Sequence, residues 1–124
     1  MQIILIYEIF DYICSRMRII SHKKLKLFYQ QREYNDAKVP LERWYDIACR
    51  RTWHSLGGIR QDYGDTNMVG NQRYVFNIHG NKYRLIVVVQ FTIQRIYIRF
   101  VGTHKQYDKI KDMKPYKLLT RIYQ

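Results

Sequence analysis

The sequence predicts an α+β fold, an antiparallel β-sheet packed against two N-terminal helices. Three observations carry that expectation. The C-terminal half holds three successive runs rich in Val, Ile, Tyr and Phe, at 73–79, 83–91 and 94–101, each bounded by turn residues. The N-terminal half instead repeats apolar residues at helical spacing. A chain of 124 residues has room for one modest core and not for two.

In chain order, 18–21 reads as a short strand and Lys23 to Tyr34 as a helix. Leu25, Leu27, Phe28 and Tyr29 form its apolar side, and Ser21 is the expected N-cap. Asn35-Asp36 breaks it. Pro40 suits the first position of a second helix, in which Leu41, Trp44, Tyr45 and Ala48 fall at i, i+3, i+4 and i+7. Gly57-Gly58 is expected to close the helical region. A turn-rich loop then spans 59–72, with Ile59, Tyr63, Met68 and Val69 as its anchors. Residues 1–16 read as an N-terminal extension ahead of Met17, 17–114 as the domain, and 115–124 as a basic C-terminal tail.

The β-rich block can be written out residue by residue. Gly80-Asn81 places Gly at the first central position of a two-residue hairpin turn, which sets Asn77 opposite Arg84 and Val75 opposite Ile86. Tyr74, Phe76, Ile78, Tyr83, Leu85, Val87, Val89 and Phe91 then share one face that must be buried. If Thr92-Ile93 makes the next tight turn, Arg99 falls opposite Ile86, on the other face. That face then gathers Asn77, Lys82, Arg84 and Arg99, and the third strand brings His104 to its rim. The polar segment 103–108 follows, and Tyr107, Ile110 and Met113 suggest a short helical face ended by Pro115.

Charge narrows the partner. Lys and Arg outnumber Asp and Glu by 22 to 10, for a net charge of +12. From residue 70 onward, eleven Lys and Arg meet only Asp108 and Asp112, leaving +9 over 55 residues. A polyanion, and nucleic acid first of all, is the partner this implies. Cys14, Cys49 and the four scattered histidines match no metal-ligand spacing. Glu8 and Asp11 interrupt the short apolar opening, so neither a signal peptide nor a membrane span is expected, and the compartment expected is the cytoplasm. Carboxylate-based metal nucleases and glycosidases fit poorly, because the cationic half has only two acids.

The stretches YVFNIHGNKYRLIVVV and YIRFVGTHKQYDKI together resemble the HigB family of bacterial toxins, within the wider RelE/ParE-like group. The resemblance covers about Met17 to Met113. It carries over Asn77, Gly80, Asn81, Arg84, Leu85, Arg99, Thr103, His104, Tyr107 and Asp108. It implies a compact RelE-like fold and an endoribonuclease, an mRNA interferase acting on mRNA at the translating ribosome. It also implies a helix-turn-helix antitoxin that neutralises the toxin and represses their shared operon. The alternative is a non-catalytic toxin of the ParE-like kind, whose basic surface holds RNA or a protein target.

Metal-free RNA cleavage needs a group to take the 2′-hydroxyl proton, cations to stabilise charge at phosphorus, and a donor for the leaving oxygen. Imidazole serves either proton transfer near neutrality, which puts His104 first. Arg84 and Arg99 are expected to hold the phosphate, with Lys105 as a further cation or proton donor and Tyr107 stacking on a base or orienting the phosphate. Asp108 either orients His104 or caps the following helix. Arg73 and Lys82 read as phosphate contacts, with Asn77 and Asp108 counted beside them as RNA-binding candidates, although Asn77, Gly80 and Asn81 read chiefly as turn architecture. No cofactor and no metal is expected.

Overall fold

The computed structural model describes residues 17–112. The extension at 1–16, the tail at 115–124 and Met113 lie outside the described residues. The chain runs β1 (Arg18–Ile20), α1 (His22–Tyr29), a 3-10 turn (Arg32–Ala37), α2 (Lys38–Arg50) and α3 (Leu56–Asp62), then β2 (Asn67–Met68), β3 (Arg73–Ile78), β4 (Tyr83–Gln90), β5 (Arg95–Thr103) and α4 (His104–Asp112). The five strands form one sheet in the order β1-β5-β4-β3-β2. It is antiparallel from β2 to β5, and β1 joins the far edge parallel to β5, with Ile19 opposite Ile96. A parallel neighbour needs a long crossover, and here that crossover contains the helices.

The α+β expectation holds, as does the buried face read from the alternation. Tyr74, Phe76, Ile78, Tyr83, Leu85, Val87 and Val89 all enter the core, and Phe91 packs at its margin. They meet Leu25 and Phe28 of α1 and Leu41, Trp44 and Ala48 of α2. Trp44 is fully buried, its ring 5.4 Å from that of Phe76 in an edge-on contact. Burial of this aliphatic and aromatic surface is what holds the helices to the sheet.

Several local expectations change. α1 stops at Tyr29, and the residues after it tighten into the 3-10 turn instead of continuing to Tyr34. Leu27 faces outward, 54% exposed. Ser21 occupies the cap position in a left-handed conformation and its side chain makes no capping bond. α2 begins two residues before Pro40. Gly57-Gly58 does not close the helical region but forms the first turn of α3. Ser55 Oγ accepts the Gly58 N–H there at 3.2 Å, an N-cap that offsets the poor helix propensity of two glycines. The region 59–72 is therefore not one loop: Ile59 is fully buried and Tyr63 packs against the core, whereas Met68 and Val69 are exposed on and beside the edge strand β2. Among the described residues, no helix is long and apolar enough to cross a membrane.

Candidate functional site

The site is assembled where the β3–β4 hairpin turn, the end of β5 and the start of α4 meet. Gly80 takes φ of +64°, open to a residue without Cβ, and Lys82 N–H closes the turn on His79 O at 3.2 Å. Pairing of Asn77 with Arg84 and of Val75 with Ile86 follows the expected register. Arg84 thus leaves the sheet on the face away from the helices. That face is no open cationic plane, since Val75 and Ile86 are buried and Arg84 itself is only 8% exposed. The Arg84 guanidinium donates from Nη2 to Asn81 Oδ1 (2.6 Å) and from Nη1 to the Asn81 and Tyr83 carbonyls (3.2 Å each). Its Cζ lies 6.0 Å from the centre of the Tyr107 ring. No carboxylate pairs with it among the described residues.

The second tight turn forms as expected over Phe91–Gln94, and its register holds from Gln90–Arg95 to Val87–Ile98. A bulge between Ile86 and Val87 then shifts the ladder, so Phe100 rather than Arg99 faces Ile86, and Gly102 faces Arg84. Arg99 becomes the extra residue of the bulge. It stays on the Arg84 side because its guanidinium lies 5.1 Å from the ring of Tyr97, which pairs with outward-facing Val88. Its Nε is buried without a hydrogen-bond partner among the described residues.

The polar segment after β5 is the first turn of α4. Thr103 and Gln106 form a capping box: Thr103 Oγ1 accepts the Gln106 N–H at 3.1 Å, and Gln106 Oε1 accepts the Thr103 N–H at 2.9 Å. A side chain at Gly102 would sit 2.6 Å from both Gln106 Oε1 and the Phe100 ring, which explains the glycine there. The cap fixes His104 as the first residue of α4, and its N–H donates to Lys82 O at 3.0 Å, tying helix to hairpin. Asp108 sits inside the helix, one turn on, with Oδ2 3.4 Å from His104 Nε2. Its part is to face His104 and not to cap. Lys105 is exposed, and Tyr107 is half-buried beside Arg84.

Not every expected residue joins this group. Lys82 turns to the helix side and pairs with Asp36 of the 3-10 turn, which also receives the Tyr83 hydroxyl and lies 3.7 Å from His79 Nε2. The Lys82 ammonium and Tyr83 hydroxyl, both donating to it, hold the Asp36 carboxyl below its ordinary 3.8. Asn77 donates to Asp65 Oδ2 at 2.7 Å. Arg73, at the start of β3, is half-buried and already engaged. A cleft of about 480 Å³ at the hairpin tip is lined by Asp36, Arg43, Tyr63, Asn77 and His79 among others, and includes neither Arg84 nor His104. Among the described residues, no three His, Cys, Asp or Glu gather as metal ligands would. The reading of the sequence missed Asn81 as a partner of Arg84, and it missed the cap. The T-x-x-Q spacing from Thr103 to Gln106 was the available signal for the latter.

Arg84 and Arg99 thus share the outer face of the sheet without a carboxylate partner among the described residues, and His104 starts the helix that follows β5. The class the fold and charge define is that of small basic α+β proteins. The model of the HigB toxin family, described as the RelE-like toxic component of a toxin-antitoxin system, matches residues 37–110, and the chain belongs to that family. The mRNA interferase toxin HigB of Escherichia coli strain K12 is 50% identical over 38 residues, 31% of this chain and 36% of its own length. The mRNA interferases HigB of Escherichia coli O157:H7 and of Shigella flexneri match to the same extent. The aligned stretch thus spans about a third of these relatives.

Proposed function

We propose that the protein is the toxin of a toxin–antitoxin pair and an endoribonuclease that cuts mRNA on the translating ribosome, with attack by the neighbouring 2′-hydroxyl and no metal. One observation carries the reading: Arg84 is nearly buried, and every group it bonds among the described residues is a neutral oxygen. A buried cation without a counter-ion is costly, and an arriving phosphate supplies the missing charge. The names of the three relatives, all mRNA interferases, support the same substrate.

In this reading the phosphodiester sits against Arg84 and Arg99, which stabilise the charge that builds on its non-bridging oxygens. The first turn of α4 adds its positive dipole end and the exposed Lys105. His104 exchanges protons with the reacting oxygens, and Asp108 holds its ring. The 2′-oxygen bonds to phosphorus and loses its proton. The bond to the 5′-oxygen breaks, and that oxygen takes up a proton. The products are a 2′,3′-cyclic phosphate and a 5′-hydroxyl. Tyr107, against Arg84, orients the phosphate or stacks on a base. A helix-turn-helix antitoxin is the proposed partner and the cytoplasm the proposed compartment. In domain terms 17–114 is the proposed toxin unit.

Separate His104→Ala and Arg84→Ala variants test this. Growth arrest and new mRNA ends should both vanish, while the fold and binding to the product of the adjacent reading frame persist. Full growth arrest by either variant would overturn the catalytic reading. Arrest by the unaltered protein with no RNA ends would point to a non-catalytic toxin instead.

A further inference from the structure

We propose that Asn81 is a positioning residue, which by gripping one end of the Arg84 guanidinium sets the edge that Arg84 offers to an RNA phosphodiester. The inference rests on Arg84 binding phosphate, as argued above.

The turn itself does not call for asparagine at this position. Of the two central residues, only Gly80 adopts positive φ, so position 81 accepts ordinary L-residues. Asn81 is exposed on its outer side, yet both of its oxygens are committed to Arg84. Oδ1 accepts from Nη2 at 2.6 Å and the carbonyl accepts from Nη1 at 3.2 Å. Together they bracket the Nη1–Nη2 end of the guanidinium. The Tyr83 carbonyl takes a further Nη1 hydrogen at 3.2 Å.

A guanidinium carries five N–H donors in a rigid fork. Two hydrogens on Nη1 and one on Nη2 are thus engaged. The second Nη2 hydrogen and Nε–H have no partner among the described residues. These two lie on the remaining long edge and match the two oxygens of a phosphate. Tyr107 flanks the same group at 6.0 Å, which limits how the plane can turn. A carboxylate at position 81 would make the same bonds but would neutralise the cation. An amide holds it and leaves its charge to the ligand.

The test uses the full chain with Asn81→Ala and Asn81→Asp, a 2′-O-methyl RNA hexamer as an uncleavable probe, and the arginine side-chain signals in 15N NMR spectra. Asn81→Ala removes Oδ1 but keeps the carbonyl at position 81, so it should remove exchange protection from Arg84 Nη2 while Nη1 and the Lys82 amide, which closes the turn, stay protected. Single-turnover cleavage should fall about tenfold to a hundredfold, the scale of a misplaced group, and hexamer affinity should change far less. Asn81→Asp should keep the Nη protection but weaken hexamer binding about tenfold and lower the salt slope by about 0.7, one lost phosphate contact on a single strand.

An unchanged Arg84 Nη2 signal in Asn81→Ala, or cleavage within about twofold of the unaltered protein's, would overturn the proposal. Loss of the Lys82 amide protection would overturn it as well, by showing a purely architectural role. If the unaltered protein cuts no RNA, the proposed function fails, while the NMR and hexamer readouts still decide the role of Asn81.

Discussion

Replacing Thr103 by Ala probes the device that places His104. The hydroxyl accepts the Gln106 N–H at 3.1 Å and the Gln106 amide returns a bond to the Thr103 N–H at 2.9 Å, so each residue satisfies one donor that the helix start would leave unpaired. α4 has nine residues, too few to persist by propensity alone. Removing an N-cap hydroxyl costs about 1 kcal/mol, within a range of about 0.5–2. The exposure of this cap puts the expectation near 1 kcal/mol, a fall in Tm of about 4 °C for a domain of this size. Gln106→Ala should cost a similar amount. Because both bonds belong to one cap, the double variant should fall short of additivity by about 0.5 kcal/mol or more. Urea unfolding of the four proteins, with unchanged m-values, measures the cycle. A loss under about 0.3 kcal/mol for Thr103→Ala, or full additivity, would mean that something other than the cap orients the first turn and His104.

Three further outcomes are expected. Binding of single-stranded RNA should weaken steeply with salt, and Arg84→Ala should lower the slope of log K against log salt by about 0.7; equal binding at low and high salt contradicts a phosphate-tracking site. Ile59→Ala should destabilise by about 2–4 kcal/mol, since Ile59 is fully buried, whereas a loss below about 1 kcal/mol in urea unfolding would place it at the surface. Asp36, whose carboxyl is held below 3.8 by Lys82 and Tyr83, binds its proton less readily in the folded than in the unfolded chain. Its contribution is therefore present above that ordinary value and is lost as pH falls through the lowered one. Asp36→Asn should flatten this acid limb of the stability profile, and an unchanged limb would remove Asp36 from the account.

The hairpin was legible in the sequence because two local signals agreed, the Gly80 turn and strict alternation into a buried face. Arg84 could therefore be placed opposite Asn77 without any structure. Arg99 could not be paired correctly, because nothing in the local alternation marks the bulge, and one extra residue shifts every pairing beyond it. Lys82 was misplaced for a different reason. Its partner Asp36 lies 46 residues away, in a turn whose position depends on how the helices dock. Gly57-Gly58 looked like a terminator by propensity, and a Ser55 cap together with burial of Ile59 outweighed it. The grip of Asn81 on Arg84 was hidden because Gly-Asn in sequence reads as turn chemistry, and only the structure shows that position 81 has no positive φ to account for the asparagine.

The chemistry of the cut ends tests the central claim most directly. RNA recovered from a ribosome-containing translation reaction with the unaltered protein should carry 2′,3′-cyclic phosphate and 5′-hydroxyl termini at the new ends, and His104→Ala and Arg84→Ala should produce none. New ends bearing 3′-hydroxyl and 5′-phosphate groups, or the same ends at full yield from either variant, would contradict 2′-hydroxyl attack at this site.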